Sequence, residues 1–461
     1  MRGRSRSGSV YGGNMPALGV LLFHRLSAAL ITIVLTFATG GATGGTLAQD
    51  QGDEVALEAD LDRISRETAD LRGLPPLAEI DDVLVSQDEL LAMMPELIAE
   101  EVDADDAAAQ SRSLAALGLI PEGIDLLDLT VRLMGEQAAG FYDPITDEML
   151  VLFDGDLGVT EYFYSHEVIH ALQDAHLDPD DFMEDLTDLN SDQTLAALAL
   201  YEGDAVAGSA AYLDKHPTLA LALLREAGAE FPVLDEVPAA VGITLLFPYT
   251  SGLAYVDRLL TEGGWDAVNA AYADIPVSTE QILHPLKYLD RDEPSSVILP
   301  DPSTALGGGW RVVDEDTVGE LQTAVLLADF DPGDGFNGIT GEISLPEAAR
   351  NAAAGWDGDR FALWEDEGGR ETLVWRSVWD SQQDARAFSR ALAEFGNGRW
   401  DGVFNGESPD DVALVTPDIA ARILLDGQEV LYVQAPDLGL ADAALAALQT
   451  APASAPAPGP G

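Results

Sequence analysis

His166-Glu167-Val168-Ile169-His170 places two of the chain's six histidines four residues apart, with a glutamate beside the first. On a helix, residues i and i+4 project from one face about a turn apart, so the two imidazoles can hold a single Zn²⁺ ion. Glu167 then stands beside them as a general base, the arrangement of a hydrolase that works through a metal-activated water. The chain has no cysteine, so any metal must be held by His, Asp, Glu or backbone oxygen.

A catalytic zinc takes three protein ligands and keeps one position open, so a third ligand is required. Two residues compete for the role. His176 lies six residues after His170, the spacing of the metzincins, but Gln173 stands where that motif has the glycine that ends the helix. On a continuing helix His176 points roughly 240° away from His170 and reads as an exposed helix-end residue. Glu202 is the preferred candidate, because it interrupts the apolar stripe Leu195, Leu198, Ala199, Val206 and Leu213. A buried carboxylate is costly unless a counter-charge meets it, and an ion held by two histidines would supply one. Asp204 falls on another face, facing solvent or standing behind a ligand.

These residues need elements to hold them. The pattern predicts a helix over 161–175 for the paired histidines and a long helix over 194–214 for Glu202. Ahead of them, helices are expected over 53–72, 86–101 and 124–137, a strand over 79–85, and a β-hairpin over 139–152. Residues 177–192 read as an acidic, solvated loop and 247–252 as a turn-rich segment, while Ser278 opens a capping pattern. Beyond about 301 the texture changes to glycine-rich turns and alternating strands, with hairpins over 360–378 and 421–433 and a helix over 382–395. This reads as a separate α+β accessory module over 301–450, followed by a disordered Ala/Pro/Gly tail over 451–461.

Composition sets outer bounds. With 47% hydrophobic residues the 461-residue chain can bury two or three cores. Eighty-one acidic residues against 23 basic ones give a net charge of −58, and the only lysines are Lys215 and Lys287. Nucleic acid is therefore excluded as an expected partner, for want of a basic footprint. The acidic surface reads as one that stays hydrated in high salt, a halophilic trait. Four arginines, an uncharged run over 26–38 and a small-residue stretch ending at Ala48 have the order of a secretory signal over 1–48, or of a retained membrane anchor, and predict a secreted or extracytoplasmic protein.

With a glutamate on the next long helix, the paired histidines resemble the gluzincin arrangement of thermolysin-like peptidases. GFYDP (140–144), HEVIHALQD (166–174), LYEGDA (200–205), FPYTSG (247–252) and STEQILHP (278–285) together resemble a prokaryotic family of predicted secreted or membrane-anchored zinc metallopeptidases, over about residues 70–300. The resemblance implies an α+β fold: a zincin-like metallopeptidase domain over 49–300, mostly helical with a small edge sheet and with a helical N-terminal part over 49–120. It also implies that the strand preceding the metal helix aligns a peptide or protein substrate by backbone pairing. Gluzincins supply a Tyr or His across the cleft to stabilise the oxyanion. His284, held by Pro285, is the first candidate for that role and Tyr249 the second. Two departures stand out: Glu202 lies 32 residues after His170, and Val206 occupies the place of an expected Asp. The outer partner of a ligand histidine must then come from elsewhere, with Asp174 and Asp204 as candidates. The expectation is a Zn²⁺ peptidase with metal ligands His166, His170 and Glu202 and general base Glu167. The alternative is a noncatalytic binding or cell-surface protein on the same scaffold.

Overall fold

The computed structural model describes residues 51–86, 88–90, 92–93, 103–137, 140–143, 146, 148–153, 157–177, 189–226, 237–328, 345–450 and 452. The expected signal or anchor, most of the acidic loop, much of the helix expected over 86–101 and nearly all of the C-terminal tail lie outside the described residues.

The fold is α+β, with two sheets of different build. The first part contains α1 (Gln51–Arg72), β1 (Asp81–Val85), α2 (Ala104–Leu117), α3 (Leu126–Gln137), β2 (Gly140–Asp143), β3 (Glu148–Leu152), α4 (Thr160–His176) and α5 (Ser191–Lys215). It continues through α6 (Pro217–Glu226), α7 (Ala239–Gly263), α8 (Trp265–Ala271), α9 (Thr279–Leu283) and α10 (Pro285–Asp290). Caps set several of these boundaries. Asp103 accepts from Asp105 N and Asp106 N at the start of α2, and Gly118 at φ 98° ends it in the left-handed conformation. Asn190 and Gln193 form a reciprocal capping box that starts α5.

The expected hairpin is present: β2 pairs antiparallel with β3, and β1 adds in parallel on the far side, leaving β2 at the sheet edge against α4. The turn-rich reading of 247–252 is corrected. Those residues lie inside α7, which runs through Pro248. A helix tolerates the proline where the missing N–H costs one bond and dense packing compensates. Gly252 serves proximity here: a Cβ there would sit 2.2 Å from Ala199 O on α5, and one on Gly203 would sit 2.3 Å from the Gly252 carbonyl carbon. Two facing glycines thus let α5 and α7 pack backbone to backbone. By length and composition α7 could cross a membrane, yet most of its apolar stretch is buried in the protein.

The second part holds β4 (Arg311–Asp316), α11 (Gly319–Leu327), α12 (Glu347–Ala353), β5 (Trp356–Glu365), β6 (Glu371–Trp379), α13 (Gln382–Arg399), β7 (Asn405–Ser408), β8 (Asp411–Val415), β9 (Ala420–Asp426), β10 (Glu429–Ala435) and α14 (Leu438–Leu448). Its sheet is antiparallel, in the order β4-β5-β6-β10-β9-β8-β7. Side chains alternate between two apolar faces, as the period of a strand requires. Ala362, Val374, Leu431 and Val433 pack under α14, while Phe361, Leu363, Leu373, Trp375 and Tyr432 face the other way with Phe388 and Leu392 of α13. That second face is continuous with the core of the helical part, which includes Leu61, Val168, Leu198 and Phe247. Polar contacts cross the same boundary: Arg399 donates to Ala115 O and Ala116 O, Arg112 bridges Glu365 and Glu371, and Ser191 N donates to Asp316. The expected accessory module therefore shares one core with the helices that carry the paired histidines.

Candidate metal centre

Helix α4 presents His166 and His170 on one face, and α5 presents Glu202 opposite them. His166 Nε2 and His170 Nε2 are 3.0 Å apart, and Glu202 Oε2 lies 3.3 and 3.5 Å from them. These three atoms lie within 4.8 Å of one another, a geometry that could hold a metal ion. All three residues are buried, as is Glu167. The close α5–α7 approach occurs at Gly203, next to Glu202, and so fixes the depth at which the carboxylate stands.

The site's chemistry could accommodate a cation. Glu202 is 0% exposed, and the groups acting on its oxygens are His170 and His166, with the Tyr249 hydroxyl alongside. Burial alone would raise its carboxyl, but the two histidines hold it below the usual range. Burial pushes His166 down to about 4, so it stands as a neutral imidazole with a lone pair to give. His170 is driven the other way: burial opposes a proton there, but Glu202 and Glu167 outweigh it. A buried carboxylate that recruits a proton onto a neighbouring histidine is a place where a divalent ion can substitute for that proton. Two imidazole nitrogens and a carboxylate oxygen form a donor set suited to zinc.

The outer contacts of His170 differ from both expected partners. Its Nδ1 meets Gln173 Oε1 at 2.8 Å, while Gln173 Nε2, with two N–H groups to give, lies 3.0 Å from Tyr201 O, 2.9 Å from Asp204 Oδ2 and 2.8 Å from Tyr272 Oη. Asp204 is fully buried, a correction to its solvent-facing reading, and accepts from Arg72 Nε at 2.5 Å and Nη2 at 2.9 Å. Asp174 instead accepts from the Tyr142 hydroxyl at 2.7 Å. The Tyr201 ring stacks on His170, with centroids 4.4 Å apart. Among the described residues His166 Nδ1 has no such partner.

Glu167 points to the edge strand, where its Oε2 accepts from Tyr142 N at 3.0 Å. Burial pushes its carboxyl up to about 8, with Glu202 adding to the effect and His170 and the Tyr142 amide opposing it. Tyr249 reaches the cluster from α7, and burial, followed by Glu202 and Glu167, holds its hydroxyl far above the usual tyrosine range and therefore neutral. His284 has other partners. Its Nε2 lies 2.9 Å from Glu320 Oε1, and Glu320, Glu280 and Lys287 are the charged groups that act on it. The cause is local: α9 ends at Leu283 and Pro285 starts α10, so His284 sits in the corner between them, where Glu320 of α11 meets it. His176, also an early candidate ligand, meets Pro75 O at 2.8 Å from the exposed end of α4, which continues unbroken past Gln173.

Sequence reasoning gave no role to Arg72, Tyr201, Gly203, Gly252 and Tyr272. A cavity of about 130 Å³ lies between the two parts of the fold, with Leu195, Leu198, Val241, Leu245, Val318 and Phe361 in its wall. Leu198 and Leu245 each stand one helical turn before Glu202 and Tyr249.

A family model described as a domain of unknown function (DUF8575) matches residues 310–445. The match covers the second sheet and its helices, less than half of the chain and none of the cluster residues. No curated protein and no solved structure matches the chain.

Proposed function

We propose that the chain is a zinc-dependent peptide-bond hydrolase on a zincin-like scaffold. The observation that carries this reading is the convergence of His166, His170 and Glu202, from two helices, on one buried point with Glu167 beside it. Zinc bound there would polarise the scissile carbonyl and acidify a water molecule. Glu167 takes the proton from the water and returns it to the departing amine, and a carboxyl raised by burial suits a group that must both hold and release a proton near neutral pH. The neutral Tyr249 hydroxyl, which bonds to Glu202, is the donor that would turn to the developing oxyanion. As an edge strand, β2 offers backbone groups to an extended peptide, and the apolar cavity one turn from Glu202 and Tyr249 offers space to a side chain.

A second reading, a noncatalytic metal-binding protein on the same scaffold, is favoured by one observation: every cluster residue is buried and the β2 backbone already engages Glu167. Zinc-loaded wild type and Glu167→Gln, assayed side by side on a peptide library, separate the two. The amide keeps the shape of the carboxylate but takes no proton, so the peptidase reading expects zinc retained and hydrolysis reduced by about 10²–10⁴. Zinc bound in both proteins without cleavage by either supports the second reading.

A further inference from the structure

We propose that Arg72, on helix α1, is a positioning residue of the metal centre, acting through Asp204 and Gln173 to fix which nitrogen of His170 carries a proton. The inference rests on the metal-ligand part of the reading above and not on the peptidase activity. Its starting point is the side-chain amide of Gln173, which could point either way. An amide oxygen facing His170 Nδ1 requires an N–H there and leaves the Nε2 lone pair for the cluster. An amide NH₂ facing Nδ1 requires a bare Nδ1, which places the ring's proton on Nε2, into the cluster, and abolishes ligation.

The surroundings decide between them. Gln173 Nε2 lies 3.0 Å from the Tyr201 carbonyl oxygen and 2.9 Å from the Asp204 carboxylate, and both of these only accept. The nitrogen must therefore be on that side and the oxygen must face His170, at 2.8 Å. Tyr272 is consistent with the choice: its hydroxyl donates to Asp204 Oδ2 at 2.8 Å and has Gln173 Nε2 at 2.8 Å. Asp204 is in turn held in place by Arg72, which grips both carboxylate oxygens, donates from Nη2 to Asn269 Oδ1 at 2.8 Å, and lies over the Trp265 ring at 4.3 Å. Arg72 and Asp204 are both fully buried, so the pair is one rigid unit whose carboxylate cannot turn away from Gln173. Helix α1 thereby becomes part of the metal centre: removing it as a propeptide would leave Asp204 buried without its counter-charge.

The test exchanges the charge between two positions in the full-length chain. In Asp204→Asn the new amide can present its NH₂ to Gln173, which leaves the Tyr201 carbonyl as the one acceptor-only group holding the Gln173 nitrogen on that side. Zinc affinity, measured by competition with a chelator, should fall by about 10–100-fold. Adding Gln173→Glu to Asp204→Asn restores an acceptor-only group facing His170 at unchanged net charge but sets its second oxygen against the Tyr201 carbonyl, so affinity should recover in part and rise clearly above that of the single variant. Selective ¹⁵N-histidine labelling reads the proton directly, since only six imidazoles contribute. His170 Nδ1 should be protonated in the wild type and in the double variant, and not in Asp204→Asn. Wild-type zinc affinity in Asp204→Asn with Nδ1 still protonated would overturn the proposal. So would a double variant that folds but stays as weak as the single. A wild type that binds no zinc would defeat the metal reading, and the Nδ1 proton would still decide whether Asp204, the carboxylate that Arg72 holds, sets the amide.

Discussion

At the residue scale the candidate third metal ligand is the choice that defines the proposed site. Glu202 could be picked out from sequence because a glutamate in an otherwise apolar stripe has to meet a positive charge, and the geometry places it 3.3 Å from His166 Nε2. Glu202→Ala is expected to abolish tight zinc binding at modest cost to the metal-free fold, since it removes a buried charge together with its partner role. His176→Ala should leave zinc affinity within about twofold, because the residue sits at an exposed helix end beside Pro75 O. Isothermal titration of both variants checks this pair of outcomes. Gln173 shows where reading the sequence stops. The absence of a helix-breaking glycine was visible, but the amide's orientation depends on Tyr201, Asp204 and Tyr272, whose convergence exists only in the folded chain. His284 was chosen as the lone histidine of the second half, and nothing in its local sequence announced that Glu320 would be its partner.

At the element scale, helix periodicity and strand alternation located α4, α5 and the β2–β3 hairpin to within a few residues. FPYTSG misled because proline and glycine mark turns and also tight helix contacts, and only the opposing helix distinguishes the two. That contact makes a sharp expectation. Gly252→Ala would drive a methyl group into the backbone of α5 at Ala199, and Gly203→Ala would do the same to α7. Each should destabilise by about 1–3 kcal/mol, as overpacking in a tight core does, and weaken zinc binding by displacing Glu202. Chemical denaturation with and without zinc measures both effects. A variant as stable as the wild type would mean that the two helices have room to separate.

At the scale of the whole molecule, the alternating faces of the second sheet were legible, but what covers them was not. Phe361, Leu363 and Trp375 read equally well as the core of a separate module, yet they join the core that holds the histidine helix. The net charge of −58 has a measurable consequence. Repulsion among carboxylates should make thermal stability rise with added salt at pH 7, where molar salt shortens the screening length to about 3 Å. Asp359 adds a pH term of known sign. Burial pushes its carboxyl up to about 6 in the folded protein, although Val318 N, Gly319 N and Trp356 Nε1 all donate to it. The unfolded chain releases that proton at about pH 4, so between about pH 4 and 6 the folded state holds the extra proton and stability falls as pH rises. Melting temperatures in low salt should accordingly be higher at pH 5 than at pH 7, and the difference should shrink in molar salt.

Elemental analysis of the purified full-length protein, after mild dialysis and with Glu202→Ala in parallel, tests the central claim most directly. One zinc per chain in the wild type and almost none in the variant is the expected result, since buried sites with two imidazoles and a carboxylate bind tightly at neutral pH. Less than about 0.2 zinc per chain in the wild type, with no uptake and no hydrolysis when zinc is added back, would contradict it.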